Sequence, residues 1–178
     1  MKGPFWKLVG FAVLALSLTA ATSAEPLPAS LAGSWRITRI LPTTNTTCWT
    51  ADQARTLIGT TLVYRESAMR WKDGEVPLAD ITTRNLSAAQ FRKENGGADR
   101  GASFAQLGIR TGSVLEVNMQ HEDMDITGAT TEVPGDSVLL VNSNRIVISA
   151  CGVYFEATRT AGIERAKAAN TDRGRSGR

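Results

Sequence analysis

Val138-Leu139-Leu140-Val141, then Asn142-Ser143-Asn144, then Arg145 to Ala150, then Cys151-Gly152 and Val153 to Arg159 follow one another without interruption. Short apolar runs separated by a polar turn and a tight Cys-Gly corner are paired β-strands. Immediately upstream, Pro134-Gly135-Asp136 closes an acidic, Thr-rich loop that begins at His121. Before that loop, Leu115, Val117 and Met119 alternate with Val114, Glu116 and Asn118 over Ser113 to Gln120, a strand with one apolar face.

The same grammar continues toward the N-terminus. Ser34 to Leu41 is a first strand stopped by Pro42, and Thr50 is placed to cap a short helix from Ala51 to Ile58 with Gly59 as its stop. Thr60 to Tyr64, Ala68 to Lys72 and Leu78 to Thr83 are further short strands, and Phe104 to Ile109 is read as another. Ser87 to Glu94 has helical residues behind a Ser cap, and Asn95 to Gly101 is a loop. Many short strands, one or two minor helices and no repeated βα alternation predict an all-β fold. The pattern of about eight or nine short strands points to an antiparallel barrel or sandwich rather than a doubly wound sheet.

Residues 1–24 read as a secretory leader. Lys2 and Lys7 precede the apolar run Leu8 to Ala21, and Thr22-Ser23-Ala24 supplies small residues before Glu25. The run is short for a bilayer, no second apolar segment follows, and no cysteine lies near the cut for lipid attachment. The expected location is therefore the periplasm or the cell exterior, with no transmembrane segment. Residues 25–163 form a single domain, followed by a basic, disordered tail over 164–178. Lys2, Lys7 and the tail account for the chain's net charge of +3, and the domain body is mildly acidic. That balance argues against a nucleic-acid partner. In an oxidising compartment the two cysteines, Cys48 and Cys151, are expected to pair.

Leu31-Ala32-Gly33-Ser34-Trp35-Arg36-Ile37 resembles the opening of a lipocalin-type (calycin) barrel, whose first strand carries Gly-x-Trp. In that superfamily an arginine from the last strand lies across the tryptophan, and Arg159 stands where that residue would fall. The resemblance implies an antiparallel lipocalin-like barrel of about eight strands with one or two short helices, and Trp35 and Arg159 as a structural plug at one end. Indole and guanidinium stack well whatever the family.

No motif presents a nucleophile beside a base, so no catalytic residue is assigned and the chain is expected not to be an enzyme. His121 is the only histidine. His121-Glu122-Asp123-Met124-Asp125 departs from the calcium-loop pattern and reads as a solvated loop, so neither a metal nor a cofactor is expected. Apart from the tail and leader the lysines are Lys72 and Lys93, both beside turns rather than desolvated. The aromatic and apolar strand residues leave two functions open. A small apolar or amphipathic ligand would be held in the barrel against Tyr64, Trp71, Leu115, Val117 and Met119. If those side chains instead fill the barrel, the chain is a protein-interaction module, such as an inhibitor of an envelope hydrolase or a subunit of an envelope assembly. Its working surface would then be the loops at 43–50, 95–102 and 121–136.

Overall fold

A computed structural model describes residues 25–42, 49–72, 74–78, 80–95, 102–120 and 133–160. The leader, the tail, Cys48 and His121 lie outside the described residues. Nine strands and two short helices follow the order β1 (Gly33–Ile40), α1 (Ala51–Arg55), β2 (Thr61–Tyr64), β3 (Ala68–Trp71), β4 (Gly74–Pro77), β5 (Asp80–Ser87), α2 (Ala88–Glu94), β6 (Ser113–Gln120), β7 (Ser137–Asn142), β8 (Arg145–Ala150) and β9 (Val153–Arg159).

All pairings are antiparallel, and the strands form one sheet in the order β4-β3-β2-β1-β9-β8-β7-β6-β5. Two meanders, β1 to β4 and β5 to β9, are thus joined by a single long-range seam between the first and last strands. The sheet curls into a half-barrel. Residues from both of its extremes, Met69 and Val76 on one side and Ile81, Val117 and Met119 on the other, belong to one buried cluster with Trp35, Ile37 and Phe155. β4 and β5 are the free edges of the sheet.

Alternation explains which side chains enter this core. On β9, Val153, Phe155 and Ala157 point to the concave side, whereas Tyr154 points out. On β8, Ile146 and Ile148 point in and Val147 out. The outward residues of β6 to β9 are also buried, because α2 and the segment 102–109 lie over them. Leu86, Phe91, Phe104, Leu107, Val114, Leu139 and Val147 make a second cluster on the convex side. β7 and β8 are therefore apolar on both faces, which is why their sequence reads as a continuous apolar run rather than an alternating one.

Both helices begin with reciprocal capping boxes. The Gln53 N–H donates to Thr50 Oγ1 at 3.3 Å and the Thr50 N–H to Gln53 Oε1 at 2.8 Å. Ser87 and Gln90 do the same for α2 at 3.2 and 3.0 Å. α1 is shorter than its sequence suggests, ending at Arg55 with turns through to Gly59. Gly59 takes φ +89° and its N–H donates to the Ile37 carbonyl, so the helix stops where the chain must rejoin β1. Phe104 to Ile109, expected as a strand, is a turn. The Gln106 N–H donates to Ser103 Oγ, the Ser103 N–H donates to Gln106 Oε1, and the Ile109 N–H returns to the Phe104 carbonyl. Local side-chain to backbone bonds of this kind win over strand pairing.

Candidate functional site

The residues singled out for ligand contact are brought together on the concave side of the sheet. Val117 pairs with Thr83 and Val138, Met119 with Ile81, Leu115 with Asn85 and Leu140, Tyr64 with Met69, and Trp71 with Leu62. Their environment is a packed interior. A side chain lining a hollow keeps surface that a water molecule can touch, yet Val117 is 0 % exposed, Tyr64 1 %, and Trp71 and Met119 4 % each. Leu115 and its partner Leu140 are half-buried against the same cluster. The polar ends of the aromatics are occupied too. Tyr64 donates to the Gly135 carbonyl at 3.0 Å, and Trp71 Nε1 donates to Thr60 Oγ1 at 3.3 Å. The Lys72 ammonium lies 4.3 Å from the Trp71 ring centre.

At one end of the half-barrel, Trp35 and Arg159 are register partners across the β1–β9 seam. Trp35 is fully buried, and its Nε1 donates to the Leu31 carbonyl at 2.7 Å. The Arg159 guanidinium carbon sits 4.2 Å from the indole centre. Arg159 then spends its N–H groups on three backbone carbonyls in two segments: Ser143 at 2.7 Å, Ala32 at 2.7 Å and Ser30 at 2.5 Å. One side chain thereby ties the lead-in, the β7–β8 turn and the last strand together over the indole face.

The convex side holds the charged groups that sequence reasoning missed. Glu116, on β6, is the one buried charged side chain among the described residues. It accepts from Arg84, which also reaches Glu94 on α2 through two N–H groups at 3.1 and 2.6 Å. Hydrogen bonds to Glu94 and then Glu116 raise the Arg84 pKa further, and the same bond holds Glu94 below the usual carboxylate range. Beside this cluster, Glu156 accepts from Arg145 at 2.6 Å and from Arg39 at 3.1 and 2.9 Å. Burial alone would push the Glu156 carboxyl up, but these two arginines more than offset it and hold it low. Arg145 also donates to the carbonyls of Leu107 and Gly108, fastening the 102–109 turn onto β8.

These carboxylates are committed to guanidinium partners, with Glu94 and Glu156 shifted away from neutrality, the opposite of what a general acid or base needs. Their role is to hold α2 and the turn on the sheet. Between α2 and the sheet a cleft of about 60 Å³ is lined by Phe91, Asn95, Glu116, Leu139, Ser149 and Tyr154. It has room for a few waters. The available signal for this layer was the apolar outward residues Leu139, Val147 and Tyr154, which a one-sided sheet would not carry. Among the described residues no group of His, Cys, Asp and Glu could hold a metal ion.

Tyr64 and Tyr154 are the chain's two tyrosines; Tyr64 is buried and Tyr154 half-buried. Burial, then the Asp136 charge, raises the Tyr64 pKa, and burial, then the Glu116 charge, pushes Tyr154 up to about 12. Tyr154 also donates to Asn95 Oδ1 at 2.7 Å. A phenol whose folded pKa is raised favours the fold below its unfolded value near 10, and that contribution is lost as pH rises toward the folded value. Alkaline titration of the native protein is therefore expected to show no tyrosinate absorbance at pH 10. Ionisation of the buried Tyr64 should arrive together with unfolding. A phenol titrating near its ordinary value in the folded state would contradict the packing described above.

No helix among the described residues is long and apolar enough to cross a membrane. Comparison with family models, with curated proteins and with solved structures finds no match.

Proposed function

We propose that this chain is an exported, non-enzymatic interaction module, freed of its leader after Ala24 and working in the periplasm or outside the cell. The observation that carries the reading is the interior. Tyr64, Trp71, Val117 and Met119 are buried in one cluster with neighbours such as Leu62, Val76 and Phe155, and little of their surface is left for a carried ligand. A half-barrel filled by its own side chains works through its outside. The partner class is an envelope protein, a hydrolase to be inhibited or an assembly to be joined. Of the loops that would meet it, Trp49, Thr50, Asn95, Ala102 and residues 133–136 are described.

The lipocalin-like resemblance is supported by the Trp35–Arg159 stack, and the staple between Cys48 and Cys151 by two further observations. Cys151 is buried and is not free. Trp49, next to Cys48 in sequence, packs edge-on against Phe155 of β9, the strand that follows the Cys151 corner, with ring centres 6.3 Å apart.

Native mass spectrometry of the processed protein, purified gently from its own envelope fraction, tests the reading. A stoichiometric protein partner is expected. A reproducible small apolar adduct that leaves on activation would overturn it in favour of a ligand carrier.

A further inference from the structure

The lead-in before β1 is built into the fold from its first residue. The Glu25 backbone nitrogen donates to the Ile81 carbonyl at 3.2 Å. The Thr83 N–H and hydroxyl both donate to a Glu25 carboxylate oxygen, at 2.9 and 2.7 Å. Ile81 and Thr83 lie on β5, whose edge away from β6 has no partner strand. From Glu25 the chain sinks Leu27 and Leu31 into the concave core, and the carbonyls of Ser30 and Ala32 receive Arg159. Residues 25–32 thus run from the free edge of β5 to the β1–β9 seam.

Two independent observations meet at one residue. The small-residue cleavage pattern Thr22-Ser23-Ala24 ends where this anchoring begins. We propose that Glu25 is the N-terminal residue of the working protein and acts as a latch on the open edge of β5, whose backbone bond to Ile81 gains a charge when the leader is removed. This rests on the reading of residues 1–24 as a leader. Cleavage turns the Glu25 amide into an ammonium group, with three donors and a positive charge facing the Ile81 carbonyl. The carboxylate meanwhile takes the Thr83 N–H, which an unpaired edge would otherwise offer to water or to another chain. The latch is small and local, and it covers one stretch of an exposed strand edge.

The test combines intact-mass measurement with amide hydrogen exchange on the exported protein, using β8 amides as the internal reference. The mass is expected to begin at Glu25, with the Thr83 amide protected despite its place on an edge strand. In Glu25→Ala its exchange should quicken roughly ten- to hundredfold, the range of a lost hydrogen bond to a charged group. Glu25→Gln, which keeps an acceptor oxygen, should fall between. A mass that begins elsewhere overturns the leader reading, and the ammonium with it. A mass beginning at Glu25 with unchanged Thr83 protection in Glu25→Ala overturns the latch alone.

Discussion

Trp35→Ala is expected to lower stability by about 3–5 kcal/mol, read as a shifted urea midpoint. The indole is fully buried at the end of the concave core, so its removal leaves a cavity that a strand backbone tied on both sides cannot collapse. The loss extends beyond packing. The Leu31 carbonyl loses its donor, and Arg159 loses the ring it covers while still holding Ser30, Ala32 and Ser143. Trp35→Phe keeps much of the volume and a face for the guanidinium, and should recover a large part of the difference. A midpoint unmoved by Trp35→Ala would mean that the plug carries no weight in the fold.

Gly135→Ala is the second large effect, and it comes from adding a single methyl group. Gly135 has φ +107°, a conformation that side chains rarely adopt. A Cβ there would press on the buried Tyr64 hydroxyl and lie 3.2 Å from Leu62 Cδ1. Backbone strain and overpacking together should cost about 2–5 kcal/mol. A second substitution separates the two causes. Tyr64→Phe alone should cost about 1 kcal/mol, because its hydroxyl bonds the Gly135 carbonyl. In the Gly135→Ala background the same change should be neutral or stabilising, since it removes the atom that the methyl group meets. Equal effects of Tyr64→Phe in both backgrounds would contradict this geometry.

The strand order of the C-terminal half could be read from Val138 to Arg159 because each strand there carries its own turn signal. The Trp35–Arg159 pairing was legible for a different reason: it is what the resemblance of Gly33-Ser34-Trp35 to a lipocalin-type first strand implies for an arginine on the last strand. Thr50 and Ser87 were identifiable as helix caps from residue type and position. What stayed hidden depended on tertiary partners. Phe104, Leu107 and Ile109 look like strand residues until Ser103 and Gln106 close a local turn and the convex face of β6 to β9 receives their side chains. Glu116 reads as the polar half of an alternating strand, and nothing local predicts that α2 will fold over it. The candidate ligand residues share one buried cluster, as alternation along their strands implies, but alternation fixes only a direction and not how tightly that side is packed.

The joining of the two meanders bears on how the chain reaches its folded state. Every strand pairing except β1 with β9 links neighbours in the sequence, so most of the sheet can zip from local contacts with little loop entropy to overcome. Only the seam requires distant parts of the chain to find each other. The slow step of assembly is accordingly the docking of two preformed halves. Substitutions within the β2 to β4 ribbon, whose contacts precede that step, should act on the rate of folding, whereas those at Trp35 or Arg159, whose contacts complete the seam, should act largely on the rate of unfolding.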